Sequence, residues 1–215
     1  MNELRYTLLS DGSSDRALLP ILTWLLQQNG VTRAIQPAWA DLRQLPRSPK
    51  HLDERIRVSI ELYPCDLLFV HRDAERTPLA TRVDEILQAV SRVSTRSQSP
   101  LPHAVCVVPV RMQEAWLLFD DVALRGAAGN PNGKQPLNLP RLNAVESLPD
   151  PKRHLMQLLQ HASGLSGRRR DSFDAAQAAR RLTTLVADFS PLRELSAFQR
   201  VEADVANVVQ ENGWN

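Results

Sequence analysis

Apolar residues along this chain form short runs that alternate with helical stripes. Arg5 to Ser10 reads as a first strand and Ala34 to Trp39 as a second. Leu67 to Val70 is a compact run of strand formers, and Ala104 to Val110 is the most apolar run in the chain. Between them the period changes to that of a helix. Leu18, Leu19, Leu22, Leu25 and Leu26 stripe a helix from about Asp15 to Asn29, closed by Asn29-Gly30. Pro20 lies inside that span and should distort it. Leu52, Ile56 and Ile60 mark a helix opened by Ser48-Pro49 and ended by Pro64. Val83, Ile86, Leu87 and Val90 mark another, starting at Thr77-Pro78. This alternation predicts the α/β class: a mainly parallel four-stranded sheet with helices on both faces.

After Val110 no strand pattern remains. Met112 to Phe119 reads as a short helix, and Gly126 to Pro140 as an irregular, mobile loop rich in Gly, Asn and Pro. Pro151 to His161, Ser172 to Asp188 and Pro191 to Asn212 read as helices. The expected organisation is an α/β core over 1–110 and a mainly helical C-terminal extension over 111–215, packed on that core.

Composition narrows the class. The chain has 215 residues, 43% of them hydrophobic, which suits a folded core. A net charge of +2 is too small to indicate a nucleic-acid coat, so any basic surface must come from local clustering. Cys65 and Cys106 sit beside or inside apolar runs and read as buried free thiols, which fits a reducing cytoplasm. Met1 to Arg5 has no signal-peptide pattern. No apolar run approaches the roughly 18 residues of a membrane span. A soluble, cytoplasmic protein is the expectation.

Charge collects where the strands end. Asp11 and Asp15 follow the first strand, Asp73 and Glu75 the third, and Arg111 and Glu114 the fourth. In open parallel sheets ligands gather beyond the carboxyl ends of the strands. Residues i and i+2 of an extended chain share a side, so Asp73 and Glu75 repel unless a cation or a shared proton lies between them. Oxygen donors so placed suit Mg²⁺ or Mn²⁺. A plainer reading makes Asp73 the start of a solvated loop and Glu75 a surface residue. Arg168, Arg169 and Arg170 fall in an apparent loop and could grip phosphates, or simply pair with Asp171 and Asp174.

Asp11-Gly12-Ser13-Ser14-Asp15 and Asp73-Ala74-Glu75 resemble the two acidic motifs of the TOPRIM domain, shared by topoisomerases, bacterial primases and OLD-type nucleases. Arg111 to Asp120 resembles the E-A-W-L-L-x-D stretch of small TOPRIM-like proteins that accompany mobile-element or phage-defence genes. The resemblance covers about Arg5 to Asp121. Asp11 stands where the family has Glu, and Glu75 where it has Asp. The resemblance implies metal-dependent phosphodiester hydrolysis. Asp11, Asp73 and Glu75 would be catalytic and, with Glu114, would hold Mg²⁺ or Mn²⁺, while Gly12 would let the backbone approach the acidic pocket. Outside what the resemblance implies, Arg111 at the end of the fourth strand and the run Arg168, Arg169 and Arg170 are the expected nucleic-acid contacts. The competing expectation is a non-catalytic TOPRIM-like subunit that binds nucleic acid or a partner such as an ATPase.

Overall fold

Four of the apolar runs become strands in the computed structural model, which describes residues 3–215. They are β1 (Glu3–Leu9), β2 (Ala34–Trp39), β3 (Leu67–His71) and β4 (His103–Val107). All pair in parallel, in the order β2-β1-β3-β4. Their alternation is two-sided. The Tyr6 hydroxyl donates to the Leu19 carbonyl at 2.8 Å, whereas the neighbouring Thr7 hydroxyl donates to the Tyr63 carbonyl at 3.0 Å. Tyr6 thus faces α1 (Leu18–Gln28), and Thr7 faces the end of α2 (Leu52–Leu62). Burial pushes the Tyr6 phenol well above its ordinary pKa, with the Thr23 hydrogen bond opposing.

On the α2 side, Leu9, Leu68, Val70 and Cys106 pack with Ile56 of α2 and with Val83, Ile86 and Ala89 of α3 (Leu79–Arg96). Each large aliphatic side chain so buried contributes roughly 1.5–3 kcal/mol. Burial also raises the Cys106 thiol to about 12, with Asp204 adding and Arg200 opposing. Cys106 is buried, Cys65 is half-buried, and both are free thiols.

Three expectations change. α1 begins only at Leu18, after a 3-10 turn over Ser13–Ala17. Pro20 therefore sits in its first turn, where a backbone N–H would have no intrahelical acceptor anyway. Leu87 is exposed, and Ala89 and Val93 complete the α3 stripe instead. Leu87 lies about 100° round the helix from Ile86, off the buried face. The run after Cys106 leaves the sheet at Val107, short of Pro109 and Val110.

The chain divides into two compact units. One runs to Val108 and includes Arg200–Asn215, and the other is Pro109–Gln199. The last residues therefore belong with the sheet unit, not with the helical part. There Trp214 meets the His103 ring edge-on at 6.5 Å. The second unit is helical: a 3-10 turn (Gln113–Leu117), α4 (Asp121–Ala127), α5 (Leu142–Val145), α6 (Pro151–Ala162), α7 (Gly167–Asp171), α8 (Ala175–Leu182) and the start of α9 (Ser196–Glu211). Asp120, Asp150 and Asp174 cap α4, α6 and α8 through the N–H groups of Ala123, Arg153 and Gln177. The stretch expected to be a mobile loop is pinned. Asn130 and Gln135 side chains donate to the Ala162 and His161 carbonyls at 3.0 Å each, satisfying the end of α6.

Candidate functional site

The strand order reverses at β1. From β1 the chain moves outward to β2, then crosses to β3 on the other side. The crevice beyond the carboxyl ends of β1 and β3 is therefore the switch point of the sheet, where parallel folds place ligands. Asp11, Asp15, His71, Arg72 and Asp73 all emerge there.

After β1 the backbone turns tightly. The Gly12 N–H donates to one Asp15 carboxylate oxygen at 2.8 Å, and the Ser14 hydroxyl donates to the other at 3.0 Å. Asp15 is 6% exposed. Its carboxylate closes the turn and starts the 3-10 segment. Gly12 has ordinary extended dihedrals. A Cβ there would meet Ser14 and Asp15 only at normal contact distances, so no steric demand for glycine exists at this position.

β3 delivers His71 to the same place, 2% exposed. Its Nδ1 lies 2.9 Å from the Val107 carbonyl. A carbonyl only accepts, so Nδ1 carries a proton and Nε2 is the other face of the ring. Nε2 lies 3.5 Å from Asp73 Oδ1 and 4.0 Å from Asp15 Oδ2. The ring nitrogen faces both carboxylates from within the rim. His71 and Asp73 thus form the i, i+2 pair that shares a side at the strand end.

Glu75 does not extend that pattern. It is exposed, with φ 53°, in a turn closed by the Thr77 N–H donating to the Ala74 carbonyl at 2.8 Å. The extended geometry that would align it with Asp73 has ended by then. Asp11 is also exposed, but its carboxylate is held by Arg55 of α2, and Arg72 Nε lies 3.6 Å away. Arg55 also donates to the Ser10 carbonyl at 2.6 Å. Arg72 continues to Glu85 at 3.1 Å, and Arg82 meets the same carboxylate at 2.7 Å.

The remaining expected residues lie in the helical unit. Glu114 is buried there and pairs with Lys152 at 3.9 Å. Arg111 is half-buried with φ 65°. Arg168, Arg169 and Arg170 are exposed on α7, a short helix where a loop was expected. Among the described residues no three His, Cys, Asp or Glu side chains form a group able to hold a metal ion. The expected set of Asp11, Asp73, Glu75 and Glu114 is therefore not assembled as such a group.

Sequence reading missed the cations. Arg55 and Arg72 reach Asp11 from α2 and the β3 tip. Beyond β2, the Arg16 and Arg43 guanidinium groups stand 5.6 and 5.0 Å from the centre of the Trp39 ring. Only the local spacing of Asp41 and Arg43 offered a signal. Their side chains fork together at 2.9 and 3.1 Å, and Arg43 holds the Asp41 carboxyl below its ordinary pKa.

No helix among the described residues is long and apolar enough to cross a membrane. Comparison of the chain with protein-family models, curated proteins and solved structures returns no match.

Proposed function

We propose that this chain is a TOPRIM-like, non-catalytic subunit that binds nucleic acid through the carboxyl rim of its sheet. The observation that carries this reading is the pair of guanidinium groups, Arg55 and Arg72, converging on the exposed Asp11 carboxylate at the switch point. Two arginines that hold one carboxylate can hold a phosphodiester in the same way, because the two anions offer similar oxygen geometry. Asp11 after β1 and Asp73 after β3 also keep the motif placement that the TOPRIM resemblance supposes. A partner ATPase within a defence or mobile-element system fits the same class of subunit.

Metal-dependent hydrolysis with Mg²⁺ or Mn²⁺ is the second reading. It is favoured by the meeting of Asp15, His71 and Asp73 at the same rim. Among the described residues the expected donors do not form a metal-binding group.

One experiment separates the two. Labelled single-stranded, nicked and duplex oligonucleotides are titrated in EDTA and then incubated with Mn²⁺. The binding reading expects complexes in EDTA that weaken as salt rises, and no cleavage. Cleavage lost in Asp73→Ala would establish the second reading. No complex with any substrate at low salt would reject the first.

A further inference from the structure

Past the switch point, on the β2 side, the rim opens into a recess of about 160 Å³. Trp39, Arg43, Ser48, Lys50 and Arg55 line it, with Asp11 and Asp41 in its wall. It is well below the roughly 300 Å³ at which pockets for whole drug-sized ligands begin. A group of phosphate size suits it better than a complete nucleotide.

Its charges are unequally committed. Arg43 is forked onto Asp41 and lies over the Trp39 ring, 5.0 Å from its centre, which positions the guanidinium. Arg55 is tied to Asp11 and to the Ser10 carbonyl. Lys50 is exposed and engages in no ion pair among the described residues. The recess therefore combines two positioned guanidinium groups with one uncompensated ammonium. Each arginine is balanced by its own carboxylate, so an anion entering there meets positioned guanidinium groups at little ordering cost and a net positive charge from Lys50.

We propose that this recess is a subsite for one backbone phosphate of a nucleic-acid strand lying along the rim, with Lys50 as its principal contact. The inference rests on the reading of the rim as a nucleic-acid surface, and it names where the strand continues beyond Arg55.

The test uses the full chain and a fluorescein-labelled single-stranded oligonucleotide in EDTA, followed by anisotropy across a salt series. Lys50→Ala is compared with Arg47→Ala. Arg47 is an exposed cation of the same loop that does not line the recess. Loss of one phosphate contact lowers the slope of log affinity against log salt by about 0.7. Lys50→Ala is expected to show that drop, with affinity falling about fivefold at low salt, while Arg47→Ala changes affinity less than twofold. Equal effects of the two substitutions, or no effect of Lys50→Ala, overturn the subsite. Displacement of the oligonucleotide by a mononucleotide at matched phosphate concentration would show that the recess serves free phosphate compounds, and would overturn the strand assignment. If the wild-type chain binds no oligonucleotide, the proposed function fails. Calorimetry with inorganic phosphate then decides the recess alone: Lys50-dependent binding retains an anion site, and its absence removes it.

Discussion

Two neighbouring parts of one rim treat charge in opposite ways. At the switch point, Asp15 and His71 are buried and face each other, with Asp73 on the same imidazole nitrogen. Beyond β2, Arg43 and Lys50 stand in solvent around a small recess. The first arrangement is bonded inward: the Gly12 N–H and the Ser14 hydroxyl end on Asp15, and the His71 ring ends on the Val107 carbonyl. The second leaves one ammonium unanswered. Buried polar groups bonded to one another hold a loop in shape, whereas an exposed charge outside any ion pair is available to a ligand.

The contrast can be broken at its buried side first. His71→Leu removes the buried ring whose Nδ1–H serves the Val107 carbonyl and whose Nε2 faces Asp15 and Asp73, and urea denaturation should show a loss of about 3 kcal/mol. A loss below about 1 kcal/mol would mean that the ring's polar contacts do not hold the rim together. Asp15→Ala removes the acceptor of the Gly12 and Ser14 bonds and should cost about 2 kcal/mol. Asp15→Asn should cost less, because an amide oxygen can still close the turn. Equal losses from the two would assign the effect to charge and not to the turn. Arg55→Gln touches an exposed carboxylate, so stability should fall by under about 1 kcal/mol. Its oligonucleotide affinity should drop far more visibly, about fivefold in the same anisotropy assay. The smallest effect concerns Asp41. Its carboxyl is held below the ordinary 3.8 chiefly by the hydrogen bond from Arg43. The fork's contribution is therefore present above pH 3.8 and fades as pH falls through the lower folded value. Carboxyl NMR should find Asp41 titrating below 3.8 in wild type and returning toward it in Arg43→Ala.

Strands were legible because burial on both faces writes itself as an unbroken apolar run, as in Leu67 to Val70. Helix edges were less so. Pro20 opposes a helix that starts at Asp15 but suits one that starts at Leu18, behind a 3-10 turn that no apolar period marks. The period-two rule was right at the β3 tip but was applied one step late. It joins His71 to Asp73, whereas Glu75 already sits in a left-handed turn. Arg55 left no mark beside Asp11, since 44 positions separate them and only the packing of α2 brings them together. Trp39 ends a strand, and nothing local announces Arg16, far back in the chain after β1, beside its ring. Long-range pairings of this kind depend on the fold and not on local spacing.

One chain of alternating signs, Arg55–Asp11–Arg72–Glu85–Arg82, braces the tips of β1 and β3 to α2 and α3. Its links are surface contacts, so added electrolyte weakens them while the apolar layers beneath stay intact. Ionic strength should therefore act as a local softener: amide exchange at the strand tips would quicken in concentrated salt long before the sheet itself yields.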